Sequence, residues 1–316
     1  MTRSSWPVAV GLATGLVADR LLADPRRGHP VAGFGTLAAA VERRTHRDSR
    51  AVGSAYAGAL TGGVGLLGAA GLAATRGPVS RAALTGVATW AVVGGTSLRR
   101  EATAMAGLLE DDDLPGARAR LSHLCGRDPA GLDAAGLARA TVESVAENTA
   151  DAVVGPLVWG AVGGVPGLLA YRAINTLDAM VGHRSPRYER FGWAAARADD
   201  VANLVPARLC AALTVVLAPL VGGRPRTVVR VWRRDGGKHP SPNAGPVEAA
   251  FAGALGRTLG GRLAYAGRVE DRPLLGDGPA PQIADIARAA TLSGAVSLGA
   301  GVVAVGVRLL LDRTHR

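Results

Sequence analysis

The chain has 316 residues, 48% of them apolar and only 4% aromatic, with 44 glycines and a formal charge of +11. Its apolar residues gather into long Ala, Gly, Leu and Val blocks separated by segments dense in Arg, Asp, Asn and Pro, a pattern that excludes an ordinary soluble globule and reads as a membrane protein. The charge is arginine set beside those blocks, Lys238 being the one lysine; no zinc-finger, helix-turn-helix or RNP-like pattern goes with it, so no nucleic-acid partner is expected.

Residues 6–22 form a first apolar helix, read as retained because Arg3 is the only basic residue before it and no A-x-A cleavage pattern follows. Asp19, Asp24-Pro25, Arg26, Arg27 and His29-Pro30 crowd its exit, either as interface anchors or as part of a site. Residues 51–74 carry no charge and suffice to cross a hydrocarbon core about 30 Å thick. Residues 79–98 nearly match them, and the turn Thr75-Arg76-Gly77-Pro78 predicts an antiparallel transmembrane hairpin. Two later blocks are broken: 152–171 holds Pro156, Pro166 and Gly163-Gly164, and 209–221 holds Pro219 and is short. Residues 291–311 make a last good span. Cys125 and Cys210 stand far apart and form neither a disulfide framework nor a metal site.

Charge sets the orientation. Segments 23–50, 99–151, 172–208 and 223–290 carry six, six, six and eleven basic residues, which places them in the cytoplasm and the 75–78 turn outside. The broken blocks 152–171 and 209–221 then cannot each cross once and are expected to be re-entrant or buried in protein. The expected fold is all-α: a polytopic integral membrane helical protein with broken or re-entrant helices and cytoplasmic helical and loop segments. It is read as one membrane-embedded domain, with N-terminal membrane helices over 1–98, a polar catalytic region over 99–290 and a C-terminal membrane helix over 291–316.

Four polar sets stand out. In RATVESVAENTAD, Arg139, Glu143, Glu147 and Asp151 recur every four residues and share a helical face. Three acids with one arginine repel mildly at that spacing, and a hard, oxygen-seeking Mg²⁺ relieves them; an ordinary ion-pair ladder is the plainer alternative. In YRAINTLD, Arg172, Asn175 and Asp178 lie close to one face. In RADDVANLVPAR, Asp199 and Asn203 are i,i+4 partners, with Asp200 beside them and Arg197 and Arg208 flanking. The loop Lys238-His239-Pro240-Ser241-Pro242-Asn243-Ala244-Gly245 offers backbone N–H groups, Ser241 and Asn243 to an anion. It is no P-loop, since Lys238 is followed by His239 and the upstream glycine of that motif is missing.

These motifs, with Gly126-Arg127-Asp128, the N-terminal DPRRGHPV and the HPSPNAG loop, resemble the CobD/CbiB family in order and spacing over nearly the whole chain, from about residue 16 to about 290. Ala23 stands where that family usually has glycine, Ala152 likewise, and Pro246 stands where tryptophan is frequent. The resemblance implies an ATP- and Mg²⁺-dependent ligase of cobalamin biosynthesis, which attaches aminopropanol O-phosphate to adenosylcobyric acid as an amide. It implies a multi-pass protein of the cell (inner, cytoplasmic) membrane, with the lipid bilayer as partner and the active site facing the cytoplasm. Self-association, or contact with other corrinoid-pathway enzymes, is compatible with it.

Under that reading Glu143, Glu147, Asp151, Asp199 and Asp200 are candidate metal ligands. Arg139, Arg172 and Arg197 hold phosphate, since a guanidinium fork suits phosphate oxygens, while Asn175, Asn203, Ser241 and Asn243 orient substrate. Glu143, Glu147 and Asp178 are the candidates for catalysis, the base being Asp178 or a spare carboxylate of the stripe. The competing functions are a membrane transporter, for which no inverted repeat is apparent, and a non-catalytic scaffold for corrinoid-pathway proteins.

Overall fold

The computed structural model describes residues 6–25, 28–183, 185–265 and 268–313, leaving aside the side chains of 262–265, 268–270, 312 and 313. Arg3, Arg26 and Arg27 lie outside the described residues. The chain forms two compact units, one from Met1–Gly94, Asp151–Val205 and Ala300–Arg316, the other from Gly95–Ala150 and Pro206–Gly299.

In the first unit, α1 (Trp6–Leu22) packs on α4 (Pro78–Val92) along a seam of small residues. A Cβ added at Gly11 or Gly15 would come within 2.4 Å of Thr85 or Thr89. The two backbones can therefore approach as closely as small-residue seams allow between membrane helices. Helix α3 (Arg50–Ala74) starts at Ser49, whose hydroxyl accepts from the Val52 N–H, and its 25 residues reach about 37 Å. Leu66 and Leu67 on it are more than 70% exposed, as lipid-facing side chains would be. The apolar block expected over 79–98 is not one helix. It stops at Val92 because Val93 turns to extended backbone and the Gly94 N–H leaves to bond the Ala152 carbonyl at 3.1 Å.

Helix α8 (Gly155–Leu177) is the hinge of this unit. Gly164, at φ 59° and ψ −145°, breaks it beside Pro166. A straight helix would hold residues 155 and 171 about 24 Å apart, yet a Cβ on Gly155 would strike the Tyr171 ring at 2.1 Å, and one on Gly167 would strike the Trp159 carbonyl oxygen at 2.2 Å. The block 152–171 is thus a tight helical hairpin and not a single crossing helix, and it packs against α3, where Gly68 meets Pro166. The short α2 (Pro30–Thr45) and α9 (Trp193–Ala202) close the unit over a core of Ala38, Tyr56, Leu177, Val181 and Phe191.

The second unit holds α5 (Gly95–Glu110), α6 (Leu114–Leu121), α7 (Ala134–Thr149), most of α10 (Leu204–Leu217), α11 (Pro225–Asp235) and α12 (Ala244–Leu255), together with the first part of α13 (Ile283–Arg313). It also carries an antiparallel hairpin, β1 (Leu259–Tyr265) with β2 (Arg268–Leu275), which the sequence reading did not anticipate. The ladder is irregular between Leu259 and Gly261, where Gly260 takes φ 86°. Two ties hold these pieces. Asp235 on α11, 1% exposed, takes Arg234, Lys238 and the Gly276 N–H. Arg288 on α13 donates to the carbonyls of Leu255 and Val221, which end α12 and the 3₁₀ turn Ala218–Val221.

Among the described residues four helical stretches are long and apolar enough to cross a membrane: Arg50–Ala74, Ala134–Gly182, Leu204–Val221 and Ile283–Leu311. The second folds back at Gly164, and the third reaches 18 residues because α10 begins upstream of the block seen in sequence. The chain is an all-α polytopic membrane protein with one small β-hairpin among its described residues.

Ala23 ends α1 at φ 57°, and the Trp90 indole donates to its carbonyl at 3.0 Å. This left-handed position costs a residue with a Cβ roughly 1–2 kcal/mol, of which glycine's extra chain entropy offsets part. Ala23→Gly should therefore stabilise the protein by about 0.5–1 kcal/mol, seen as a higher melting temperature in detergent; a lower one would contradict this account of the turn.

Candidate functional site

The polar residues gather as two sets, one in each unit. In the first unit, Asp199 is the centre. Asn203 donates to its Oδ2 at 3.0 Å and Asn175 to its Oδ1 at 3.3 Å. Arg172 in turn donates to the Asn175 carbonyl oxygen at 3.4 Å. The Tyr171 hydroxyl lies 2.7 Å from Asn203 Oδ1 and 3.1 Å from the Asp151 carbonyl oxygen, and orients the amide. Asp178 and Asp200 stand close enough to act on Asp199. Burial first, and the negative charge of Asp200 second, push the Asp199 carboxyl above its ordinary range, while the two amides pull it down. Arg172 is half-buried near the carboxylates of Asp24 and Asp151, and Asp24 pairs with His29 at 3.3 Å. Arg197 points outward, paired with Asp200 at 3.0 Å.

The stripe read on 139–151 runs true only as far as Glu147. After Thr149 the helix widens into a π turn, Ala150–Val154, and this shifts the register that would have set Asp151 above Glu147. Asp151 belongs to the first unit, whereas Arg139, Glu143 and Glu147 belong to the second. Asn148 turns to the backbone, donating to the Ser144 carbonyl at 2.9 Å.

In the second unit Glu143 is braced on both oxygens. Arg127 donates to Oε2 at 2.6 Å and the Gly260 N–H to Oε1 at 2.7 Å. The ladder irregularity frees that N–H, and a Cβ on Gly260 would strike the Pro273 carbonyl oxygen at 2.2 Å, so glycine is required there. Arg139 reaches beneath the same strand, 3.4 Å from where a Cβ on Gly261 would be.

Beyond Glu143, donor atoms of Glu147, His239 and Glu248 lie within 4.8 Å of one another. The Glu147 and Glu248 carboxyls face each other at this distance, and two acids so close favour a proton on one of them. Burial, then the charges of Glu147 and Glu143, push Glu248 well above the ordinary carboxylate range. His239 sits 3.8 Å from Glu248, and Arg272 comes within 2.9 Å of its Nε2. Burial and that guanidinium lower the imidazole to about 4, so it is neutral at pH 7.

The 238–245 loop serves this set more as a support than as an anion cradle. The Ser241 hydroxyl accepts from the N–H groups of Asn243 and Ala244, closing the start of α12, and the Ser241 N–H donates to His239 Nδ1 at 3.0 Å. The Asn243 carbonyl oxygen accepts from Arg208 at 2.9 Å.

Sequence reasoning passed over several of these groups. Glu248 had a signal, being the one acid in the twelve otherwise small or apolar residues of α12. Arg127 and Tyr171 lay inside quoted motifs. Asp24 and His29 had been left open as interface anchors, while Arg272 had no signal until the β-hairpin placed it.

These observations define a class: a polytopic helical membrane protein that keeps carboxylate, amide and guanidinium groups in two half-buried to buried sets. The family described as CobD/Cbib protein matches residues 12–293, and the chain belongs to this family, which acts in cobalamin biosynthesis. It is 57% identical over 306 residues to "Cobalamin biosynthesis protein CobD" of Mycobacterium tuberculosis, covering 96% of this chain and 97% of that one. Proteins of the same name from Geobacter metallireducens and Rhodobacter capsulatus are 43% identical over 84% of this chain and 85% of theirs, and 48% identical over 70% of each. No solved structure matches.

The depressed His239 fixes the sign of a pH effect. Between pH 6.5 and about 4 the unfolded imidazole takes a proton that the folded one refuses, so its contribution to stability, whole above 6.5, falls as pH drops through that window. By linkage the difference reaches about 3 kcal/mol. Melting temperatures in detergent should fall more steeply from pH 6.5 to 4 for the wild type than for His239→Gln; parallel curves would show the imidazole to be charged in the fold.

Proposed function

We propose that the protein is the ATP-dependent ligase that joins aminopropanol O-phosphate to adenosylcobyric acid, giving adenosylcobinamide phosphate, at the cytoplasmic face of the cell membrane. The observation that carries this reading is the buried Glu147–Glu248 pair beside neutral His239, because amide formation from an ammonium needs a dry site that binds the cation and then removes its protons.

In the first step a propionate oxygen of the corrinoid attacks the γ-phosphorus of ATP. ADP leaves, and the carboxylate becomes an acyl phosphate. In the second the free amine attacks the acyl carbon, the C–N bond forms, inorganic phosphate departs with the former carboxylate oxygen, and the nitrogen gives up a proton. Glu147, with Glu248 as its proton partner, is the base in this scheme, and His239 holds the pair in place without adding charge. Glu143, taken up by Arg127 and Gly260, acts as a brace and not as a ligand. Within the second unit Arg139 is the phosphate-binding candidate, and within the first unit Arg172 is, while Arg197 faces outward.

Asp178, Asp199 and Asp200, a cluster of hard oxygens in which Asp199 is met by neutral amides, fit Mg²⁺ well. Ion held there, with Asp151 near Arg172, would neutralise phosphate charge. Glu147, His239 and Glu248 fit Mg²⁺ less well, since an imidazole and the Arg272 guanidinium share that space.

Purified protein given Mg²⁺, ATP and both substrates should release ADP only when both are present. With carboxylate-¹⁸O corrinoid, label should emerge in phosphate; retention of all label in the corrinoid would rule out the acyl phosphate. Glu147→Gln and Glu248→Gln should each lower amide formation by about 100-fold or more while the protein still elutes as a folded species, and unchanged turnover in both would remove the pair from the chemistry.

A further inference from the structure

The tip of the α8 hairpin borders a cavity that the chemistry above does not use. It measures about 520 Å³ and lies among the start of α1, the end of α3, the start of α4, the hairpin tip and the last turns of α13. Two guanidiniums line it, Arg81 and Arg308, and among its described lining residues none is acidic. Arg81 donates to the Thr75 hydroxyl at 3.3 Å, and Arg308 lies 3.5 Å from the Ala161 carbonyl oxygen. The rest of the wall is apolar, with Leu72 and Val162, or bare backbone at Gly163 and Gly164.

Two like charges facing one cavity repel, and low-dielectric walls strengthen the repulsion. Helix dipoles offset one another here, since α1, α4 and the returning arm begin at this end while α3, the outgoing arm and α13 finish at it, so the two guanidiniums carry the field. Water alone occupies about 30 Å³ a molecule and brings no charge. The space suits a larger anion with an apolar side. Its position strengthens this, because α3 is a candidate span and the cavity sits where it ends in the turn to α4.

We propose that this cavity binds a phosphate ester, namely the headgroup of an anionic phospholipid such as phosphatidylglycerol. The guanidinium forks match phosphate oxygens. Leu72 and Val162 take the glycerol and upper acyl carbons. With no carboxylate among the described lining residues to meet a choline or ethanolamine cation, zwitterionic lipids should fit poorly. The glycines leave the room: a Cβ at Gly163 or Gly164 would touch nothing within 4 Å, and Gly164 holds a left-handed φ that only glycine adopts readily.

The test is lipid-dependent melting of the full chain in detergent. Phosphatidylglycerol should raise the melting temperature of the wild type by several degrees, phosphatidylcholine should not, and native mass spectrometry should find phosphatidylglycerol retained. Arg81→Gln with Arg308→Gln should lose both effects. Should that double variant fail to fold, Gly163→Leu fills the cavity while keeping both arginines and should lose them too. Inorganic phosphate, added without lipid, separates the sources: a shift as large as the lipid's, lost in the same variants, would keep the anion site and assign it to a soluble phosphate. Equal shifts with both lipids, no shift with any probe, or a phosphatidylglycerol shift that survives the substitutions would overturn the proposal.

Discussion

The reversal of α8 at Gly164 is the constraint from which the first unit is built. It folds an apolar 23-residue helix upon itself, so that Asp151 before the first arm and Tyr171 to Asp178 on the second come to one place. The contact that fixes the two arms is the Tyr171 ring lying on Gly155. From that ring the order passes to Asn203 and on to Asp199, linking the hairpin to α9 through hydrogen bonds and not through shape alone. A wider residue at 155 would displace the tyrosine and with it the orientation of the acid.

Both sets obey the same rule by different means. A carboxylate withdrawn from water needs donors, and each one left without them costs about 1–3 kcal/mol or more. Asp199 is met by two neutral amides and Glu143 by a guanidinium and a backbone N–H, while Glu147 and Glu248 face each other and so raise the proton affinity of Glu248. These solutions differ in what remains open. Glu143 is saturated, which suits a brace. Asp199 among Asp178 and Asp200 keeps excess negative charge, which suits a cation. In the Glu147–Glu248 pair the proton affinity of Glu248 is raised, which suits acid–base work.

How much of this was legible depended on whether a local rule decided the structure. Residues 51–74, uncharged and bounded by Ser49 and a Gly-Pro turn, were read to within a residue of α3. The i,i+4 pairing of Asp199 with Asn203 and the proximity of Arg172 to Asn175 also followed from helical spacing. The 79–98 block misled because apolarity continues through Val93-Gly94-Gly95, where the chain nevertheless leaves the helix to serve Ala152. The 139–151 stripe misled at its last member, because nothing in Ala-Asp-Ala-Val-Val announces a π turn. The β-hairpin stayed hidden behind Gly260-Gly261, whose role is set by a carboxylate more than a hundred residues earlier in the chain.

The hairpin also bears on how the protein is made. From the break at Gly164 the apolar part of the first arm reaches back to Ala152 and the second arm runs to Gly182, about 18 and 27 Å as helices, less than the roughly 30 Å of hydrocarbon that an independent crossing must cover. Neither arm is therefore a self-sufficient insertion signal for the translocation machinery. Most of the surfaces that receive them, on α1, α2, α3 and α4, are synthesised first, and α9 follows. Assembly is ordered by the chain itself, with the early helices acting as an internal template on which the later pair is seated.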